Sequence, residues 1–220
     1  MMMNYMGKNG AILAGFALVT TSLIAITFAG TKERIQFEKE KQLLTVLNEL
    51  VAEDQHTNDL HLDCIIVNNE SSLGSNNGQR IFRARQNEEN IAAVIETTAP
   101  NGYSGEIKMV VAVNFEGVSL GARVVEHKET PGLGDKVDLR VSDWILSFAN
   151  VPFGGENDKR WKVKKDGGQF DQFTGATITP RAVVNAVKNA LVYYGANKEM
   201  IFDTPSNCID SIPNEAKGDE

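Results

Sequence analysis

The stretch DQFTGATITPRAV, residues 171–183, leads into the most regular helical pattern of the chain. Apolar residues recur at helical spacing over residues 180–195, and proline at the first helical position is typical of a helix start. One hydroxyl is enough to cap such a start, and glycine commonly follows a helix end. We therefore expect a helix over residues 180–195, capped by Thr179 and ended by Gly195. The stretch nevertheless contains three hydroxyl residues around a Gly-Ala pair: Thr174, Thr177 and Thr179.

A long uncharged run lies near the other end of the chain, at residues 10–30. At 1.5 Å per residue it forms roughly 31 Å of helix, about the thickness of one hydrocarbon core. Its threonine and serine hydroxyls can bond to the helix's own carbonyls, so they are compatible with a membrane span. A cleaved secretory signal is the alternative, because Lys8 precedes the run and residues 27–29 form a passable cleavage site. The length of the run favours a retained single transmembrane helix.

The positive charges flanking this run nearly balance, since Lys8 faces Lys32 and Arg34 across it. A short tail of residues 1–9 is easily left inside, which places the bulk of the chain outside. Residues 31–54 are charged and then amphipathic, and they predict a juxtamembrane helix. A domain over residues 55–203 and an acidic tail over residues 204–220 complete the expected organisation.

Composition excludes several classes of function. The formal net charge is −7 (22 basic against 29 acidic residues), and no long basic run is present, which argues against a nucleic-acid partner. Two cysteines and three scattered histidines fit no standard metal site, and we expect none. Cys64 and Cys208 either form a disulfide in an oxidising compartment or remain free thiols; the sequence leaves both open.

Strand-like stretches dominate the middle of the domain. Turn residues Glu116-Gly117 between two of these stretches predict a hairpin. We also expect a helix within residues 137–150 and a short strand at residues 161–164. The expected fold is α+β, with a mainly antiparallel sheet and flanking helices. The four strand-like stretches are residues 80–85, 90–97, 106–115 and 118–127.

The start of the helix at residue 180 could bind a ligand as well as mark a helix boundary. Free N–H groups and the positive end of the helix dipole form an anion site, suited to a phosphate. Gly175 and Ala176 would let a bulky group approach the backbone closely. No lysine stands beside the hydroxyls, which disfavours a nucleotide-hydrolysing loop. The simpler alternative stays open: an anchored, non-redox binding module in which this stretch only caps a helix.

The order of residues here resembles the flavinylation motif of FMN-binding domains, Asp-x-x-Ser/Thr-Gly-Ala-Ser/Thr. Matched position by position, the resemblance makes Thr177 the threonine whose hydroxyl bonds FMN covalently through the phosphate. Thr174, Gly175, Ala176 and Thr179 would surround the bound group. A separate flavin transferase makes this bond in the family, taking FMN from FAD with Mg²⁺. Asp171 belongs to the pattern that this transferase recognises.

A second segment, HKETPGLGDKV at residues 127–137, strengthens the resemblance. Pro131 followed by Gly132 is typical of a type II turn. Leu133 stands between two glycines and would be an unusual surface residue unless something covers it. The similar loop in the family lies by the flavin ring, which implies a second set of cofactor contacts: Glu129, Thr130, Pro131, Leu133 and Gly134.

With its anchor and length, the whole chain resembles the G subunits of Rnf electron-transport complexes. The resemblance implies an electron carrier with covalent FMN in a bacterial inner membrane, and an ion-translocating assembly whose other membrane and peripheral subunits are its partners. No substrate turnover of its own is expected. The C subunits of sodium-translocating NADH:quinone reductases share both anchor and motif. The chain's shorter length favours the Rnf family.

Overall fold

The computed structural model describes residues 2–208 of the 220-residue chain. Its six strands form one antiparallel sheet in which every strand pairs with its neighbours in sequence, so the sheet order is that of the chain. The predicted α+β class with a mainly antiparallel sheet is confirmed. The helices and strands are α1 (Met2–Leu50), β1 (Cys64–Val67), α2 (Glu70–Leu73), β2 (Gln79–Gln86), β3 (Glu89–Ala99), β4 (Ile107–Asn114), β5 (Val118–Glu126), β6 (Val151–Pro152) and α3 (Ile178–Asp203).

Helix α1 contains both the predicted membrane span and the predicted juxtamembrane helix without a break. It ends at Leu50, and the predicted continuation to residue 54 is replaced by a short 3₁₀ turn at Glu53–Gln55. Within residues 2–208 it is the only helix long and apolar enough to cross a membrane. The hydroxyls of Thr20 and Thr27 donate to the carbonyls of Phe16 and Leu23 at 2.9 and 2.8 Å, as expected for threonine in an apolar helix.

Successive side chains of a strand point to opposite faces of the sheet, and both sets are apolar here, so both faces of the sheet are covered. One set, including Ile81, Ile95 and Val111, packs against α3 in the larger core cluster. The other set, including Phe82, Val94 and Val110, packs against the last turns of α1. Leu43, Leu47 and Leu50 supply that contact, each less than 9 % exposed. The end of α1 is therefore part of the folded domain.

Several predicted elements differ from those observed. The helix expected within residues 137–150 is reduced to a 3₁₀ segment, Asp143–Phe148, in which Ile145 and Phe148 are buried. The strand expected at residues 161–164 is only an isolated bridge between Val163 and Phe170. Both segments are short, and burial of single aromatic and aliphatic side chains decides their conformation. Strands β1 and β6 were not predicted, because their four and two residues carry no readable alternation.

Helix α3 begins earlier and ends later than its sequence pattern indicates. Thr177 holds the N-cap position and Thr179 lies inside the first turn, so the prediction of Thr179 as the cap is wrong. Pro180 is tolerated there because the first-turn N–H groups have no intrahelical acceptor. Gly195 does not end the helix either. The helix continues to Asp203 because Ile201 and Phe202, 0 % and 5 % exposed, extend its buried face.

The segment after α3 is tied to strands β1 and β2. The Nη1 atom of Arg83 donates to the carbonyls of Ile201 and Thr204, at 3.1 and 2.5 Å, and Asp63 pairs with the guanidinium of Arg83. Cys64 and Cys208 form a disulfide, with 5.7 Å between their Cα atoms. The first residues of the predicted acidic tail are thus held against the sheet. The remainder of that tail, residues 209–220, lies outside the described residues.

Candidate functional site

A cleft of about 320 Å³ lies where the start of α3 meets the loop after β5. The two sequence motifs, far apart in the chain, together form most of its wall. Most of the residues expected to contact a cofactor are brought together here. The cleft is lined by Tyr103, Glu129, Thr130, Leu133, Gly134, Gly175, Ala176, Thr177, Ile178 and Thr179.

The backbone of the cleft wall turns at two glycines. Gly175 has a φ of +82° and Gly132 a φ of +79°, values that a side chain would strain. The Leu133 N–H donates to the Thr130 carbonyl at 3.1 Å, closing a turn around Pro131-Gly132. The positive φ at Gly132 is the one a type II turn requires at this position, so the predicted turn is confirmed. A side chain at Gly175 would also come within 4.0 Å of Leu133.

The three threonines occupy different environments. Thr179 is 1 % exposed, and its hydroxyl donates to Glu129 Oε2 at 2.6 Å. Thr174 is exposed and does not line the cleft. Thr177 is half-buried, lines the cleft and, within residues 2–208, forms no capping hydrogen bond despite its N-cap position. Thr177 therefore has the hydroxyl that is both accessible from the cleft and not committed to a cap.

Glu129 is a buried carboxylate, 5 % exposed, that connects three segments of the wall. Its Oε1 accepts from the Ser104 N–H at 3.0 Å, and its Oε2 accepts from Thr179. Its own N–H donates to His127 Nδ1 at 3.1 Å. These bonds fix the loop after β5 against the loop before β4 and against the start of α3. Buried carboxylates are costly unless bonded in this way, so Glu129 holds the cleft's shape.

Gly134 leaves the space that this carboxylate occupies. A Cβ at Gly134 would lie 2.4 Å from Glu129 Oε2 and 2.7 Å from Thr179 Oγ1. A Cβ at Gly102 would similarly lie 2.9 Å from Glu129 Oε1. Glycine is required at both positions by the buried polar contacts beside them.

Gly134→Ala is expected to destabilise the domain by about 1–3 kcal/mol, because the added methyl must displace the Glu129–Thr179 contact. Gly195→Ala is the matched control, since a Cβ there would meet nothing within 4 Å. It should stabilise the domain by about 0.5–1 kcal/mol through helix propensity. Urea unfolding of the two variants measures both effects. Equal stability of Gly134→Ala and the wild-type chain would contradict the packing described.

Exposed apolar side chains rim the cleft. Leu133, Ile178 and Tyr103 are 44 %, 48 % and 69 % exposed, although all three line the same concavity. Leu133 was expected to be exposed unless something covers it, and the described part of the chain does not cover it. The wall also carries threonine hydroxyls and the N–H groups at the helix start. This arrangement suits a ligand with an anionic head and a flat, apolar body.

The end of the loop after β5 is held by an ionic cluster around one buried carboxylate, Asp138. Asp138, 4 % exposed, accepts from Arg140 Nε at 3.0 Å and lies 3.4 Å from His127 Nε2. Burial by itself would raise the pKa of Asp138, but the hydrogen bonds and charge of Arg140, with a smaller contribution from His127, hold that pKa below its ordinary value of 3.8. His127 thus joins Asp138 to the backbone of Glu129.

Asp138→Asn should lower the stability of the domain at pH 7 by about 1 kcal/mol, because charge-assisted hydrogen bonds are lost. The lowered pKa means that the contribution of Asp138 is present above the pKa of the unfolded chain and is lost as the pH falls through the folded value, below 3.8. The melting temperatures of the two proteins should therefore approach each other as the pH falls below 3.8. A difference that stays constant from pH 7 to pH 3 would contradict this role.

Some predicted site residues lie outside the cleft, and two lining residues were not predicted. Thr174 and Pro131 do not line it, and Asp171 is exposed and pairs with Lys164 at 2.6 Å. Tyr103 follows a glycine in the loop before β4, and Ile178 stands between two threonines, so neither carries a sequence signal of its own. Only the approach of three segments in the fold brings them to the site.

Two family models match separate parts of the chain. Residues 1–50 match the sequence model of the RnfG N-terminal region, and residues 102–192 match that of the FMN-binding domain. The G subunit of the ion-translocating oxidoreductase complex of Pseudoalteromonas atlantica is 52 % identical over 97 % of this chain and 100 % of its own length. Its counterparts in Vibrio atlanticus and Aliivibrio fischeri are 50 % and 47 % identical, each over 94 % of this chain and 99 % of their own.

Proposed function

The chain belongs to the family of G subunits of ion-translocating oxidoreductase complexes, and we propose from this that it relays electrons through FMN bonded covalently to Thr177. Membership of this family, rather than that of the quinone reductase subunits, rests on relatives at about half identity over nearly the full length. The observation that carries the finer proposal is the position of Thr177. Its uncapped hydroxyl lines the cleft where the two motifs meet.

The residues of the cleft suit FMN. The start of α3 offers N–H donors and a positive dipole end to a phosphate, and Gly175 and Ala176 leave the backbone open to it. Leu133, Ile178 and Tyr103 offer apolar surface to a flat ring. Thr174, Thr130 and Pro131 lie beside or on the wall and remain proposed contacts. FMN, when bound, supplies the reversible electron chemistry.

Covalent attachment would keep FMN on the protein, which the interaction with the helix start is too weak to do alone. The dipole at the start of α3 stabilises a bound negative charge by only about 0.5–1 kcal/mol. We propose that the Thr177 oxygen bonds to the phosphorus of the FMN half of FAD. The bond to the AMP half then breaks, AMP leaves and the hydroxyl proton is released. A flavin transferase with Mg²⁺ catalyses this exchange, and exposed Asp171 is part of what it recognises.

The protein itself contributes by keeping the shape of the cleft and by shielding the bound ligand from water. Glu129 and Thr179 fix the walls of the cleft, while Leu133 and Tyr103 exclude water from the apolar part of the ligand. Attachment through the phosphate leaves a ring edge free to meet other redox centres. We infer that the chain turns over no substrate by itself and that ion translocation belongs to the whole complex, because a single uncharged helix is a poor ion path.

We propose that α1 anchors the chain once in the bacterial inner membrane and that the domain lies on the outer side. The disulfide between Cys64 and Cys208 supports this sidedness, since disulfides persist in oxidising compartments. A reporter fused after Glu220 tests it. Activity of a reporter that works only outside the cytoplasm is the expected result, and activity of a cytoplasmic reporter would reverse the assignment.

Denaturing electrophoresis tests the cofactor proposal directly. The full chain, made with and without a co-expressed flavin transferase, is viewed under ultraviolet light, and its intact mass is measured. With the transferase we expect a fluorescent band and the added mass of one FMN less one water. Absence of both would leave the anchored, non-redox binding module as the better interpretation.

A further inference from the structure

A second cleft, of about 360 Å³, lies at the other end of α3. Gly195, in its wall, is separated from Thr177 by roughly 27 Å of helix at 1.5 Å per residue, so this cleft is distinct from the proposed flavin site. Its walls come from the turn between β4 and β5, the loop after β6 and the second half of α3. The apolar part of the wall consists of Phe115, Phe153, Leu191, Val192 and the ring of Tyr194.

Tyr194, which lines this cleft, has an unsatisfied buried hydroxyl. The residue is 2 % exposed, and its buried hydroxyl has no hydrogen-bond partner among residues 2–208. Burial, together with the negative charge of Glu116, raises the pKa of Tyr194 above its ordinary value, so the hydroxyl stays protonated. A buried hydroxyl without a partner is uncommon in folded proteins and calls for an explanation.

Gly195 gives a second, independent indication. It lies inside α3, exposed, where glycine costs stability relative to alanine. No close packing within the described part of the chain requires it, because a Cβ at this position would meet nothing within 4 Å. Nor does it serve as a helix end. A missing side chain beside an apolar cleft allows another molecule's backbone to approach the helix closely.

The charges at the cleft define what would fit. Glu116 and Glu156 stand at the rim, and the ammonium of Lys198 lies 3.3 Å from the centre of the Phe115 ring. Two carboxylates against one ammonium leave a net charge of −1. The chain's own residues 209–220 carry four acidic residues and one lysine, so like charges disfavour that segment as the occupant.

We propose that this second cleft is a docking site for another subunit of the complex, which inserts an arginine side chain. The apolar stem of arginine matches the phenylalanine and leucine walls, and its guanidinium can donate to the rim carboxylates and to the Tyr194 oxygen. Arginine is also enriched among the residues that dominate binding at protein interfaces. The docking site depends on the chain belonging to a multisubunit complex and not on flavin attachment.

Photo-crosslinking in the intact, membrane-extracted complex tests this assignment. A benzophenone side chain is placed at Ala196, which is exposed beside Gly195, and at Asn185, which is exposed on the same helix outside the cleft. We expect Ala196 to crosslink to another subunit of the complex, at a peptide containing arginine, and Asn185 not to do so. Adding Gly195→Leu, which fills the cleft, should reduce the yield at least about tenfold.

Further variants separate docking from folding and from flavin attachment. Glu116→Gln with Glu156→Gln should reduce the crosslink and make the remaining yield less sensitive to salt. Tyr194→Phe should reduce it without a loss of stability, because the hydroxyl has no partner within the described part of the domain. In Gly195→Leu the FMN content should stay unchanged and the melting temperature should not fall, because leucine favours the helix over glycine. The proposal is overturned by an undiminished crosslink in Gly195→Leu, by the same crosslink from Asn185, or by attachment to lipid or to a small molecule.

Discussion

Thr177→Ala is expected to remove all covalently bound flavin while leaving the folded domain intact. The alanine lacks the only oxygen through which the proposed phosphoester forms. Thr177 is half-buried and makes no capping hydrogen bond, so its loss should change stability by less than about 0.5 kcal/mol. Intact mass and in-gel fluorescence, measured beside a thermal melt, separate loss of the attachment point from loss of the fold.

Matched variants make this prediction specific to one oxygen. Thr177→Ser keeps a hydroxyl at the same position and should retain the flavin. Thr174→Ala should only weaken attachment, because the residue is exposed and lies outside the cleft. Thr179→Val should lower both stability and yield, since it leaves the buried Glu129 carboxylate without one of its donors. Complete loss of flavin in Thr179→Val alone, with Thr177→Ala still labelled, would show that the wrong threonine has been assigned.

Removing the disulfide should cost the domain about 2–5 kcal/mol of unfolding free energy. Cys64 and Cys208 are 144 residues apart in sequence, so the bond closes nearly the whole domain into one loop. It also holds the segment after α3, where the Asn207 N–H donates to the Cys64 carbonyl at 3.1 Å. Urea unfolding of Cys64→Ser with Cys208→Ser, compared with the oxidised wild-type protein, gives the difference.

Two controls accompany the disulfide prediction. Ser206→Ala removes side-chain hydrogen bonds of the same segment but keeps the disulfide, and should cost only about 1 kcal/mol. Reducing the wild-type protein should reproduce the stability of the double serine variant. Equal stability of oxidised and reduced protein would contradict the structural role given to this bond.

The regular parts of the fold were predictable because their side chains alternate or recur over many residues. Strands β2 to β5 and the start of α3 lie close to where the sequence places them. Gly195 misled the prediction, because a glycine near the end of an apolar pattern usually marks a helix end, and the burial of Ile201 and Phe202 overrides it. The segment at Asp143–Phe148 was misread for a related reason: tertiary packing decides so short an element.

The site was predictable only as two separate motifs. The sequence points to Thr177 and to the loop containing Leu133, but it gives no sign that the Glu129 carboxylate accepts a hydrogen bond from Thr179 across the cleft. That contact joins residues 50 positions apart, and such distant pairs are set by the fold. The position of Tyr103 in the cleft wall is likewise set by the fold, because this residue comes from a third segment of the chain.

Tandem mass spectrometry of the tryptic peptide spanning residues 166–181 tests the central claim most directly. This peptide contains Thr174, Thr177 and Thr179, and backbone fragmentation separates the three. Protein isolated with its flavin transferase should carry one FMN group on fragments that include Thr177 and none on fragments limited to residues 166–176 or 178–181. An unmodified peptide, or an FMN group on Thr174 or Thr179, would contradict the account.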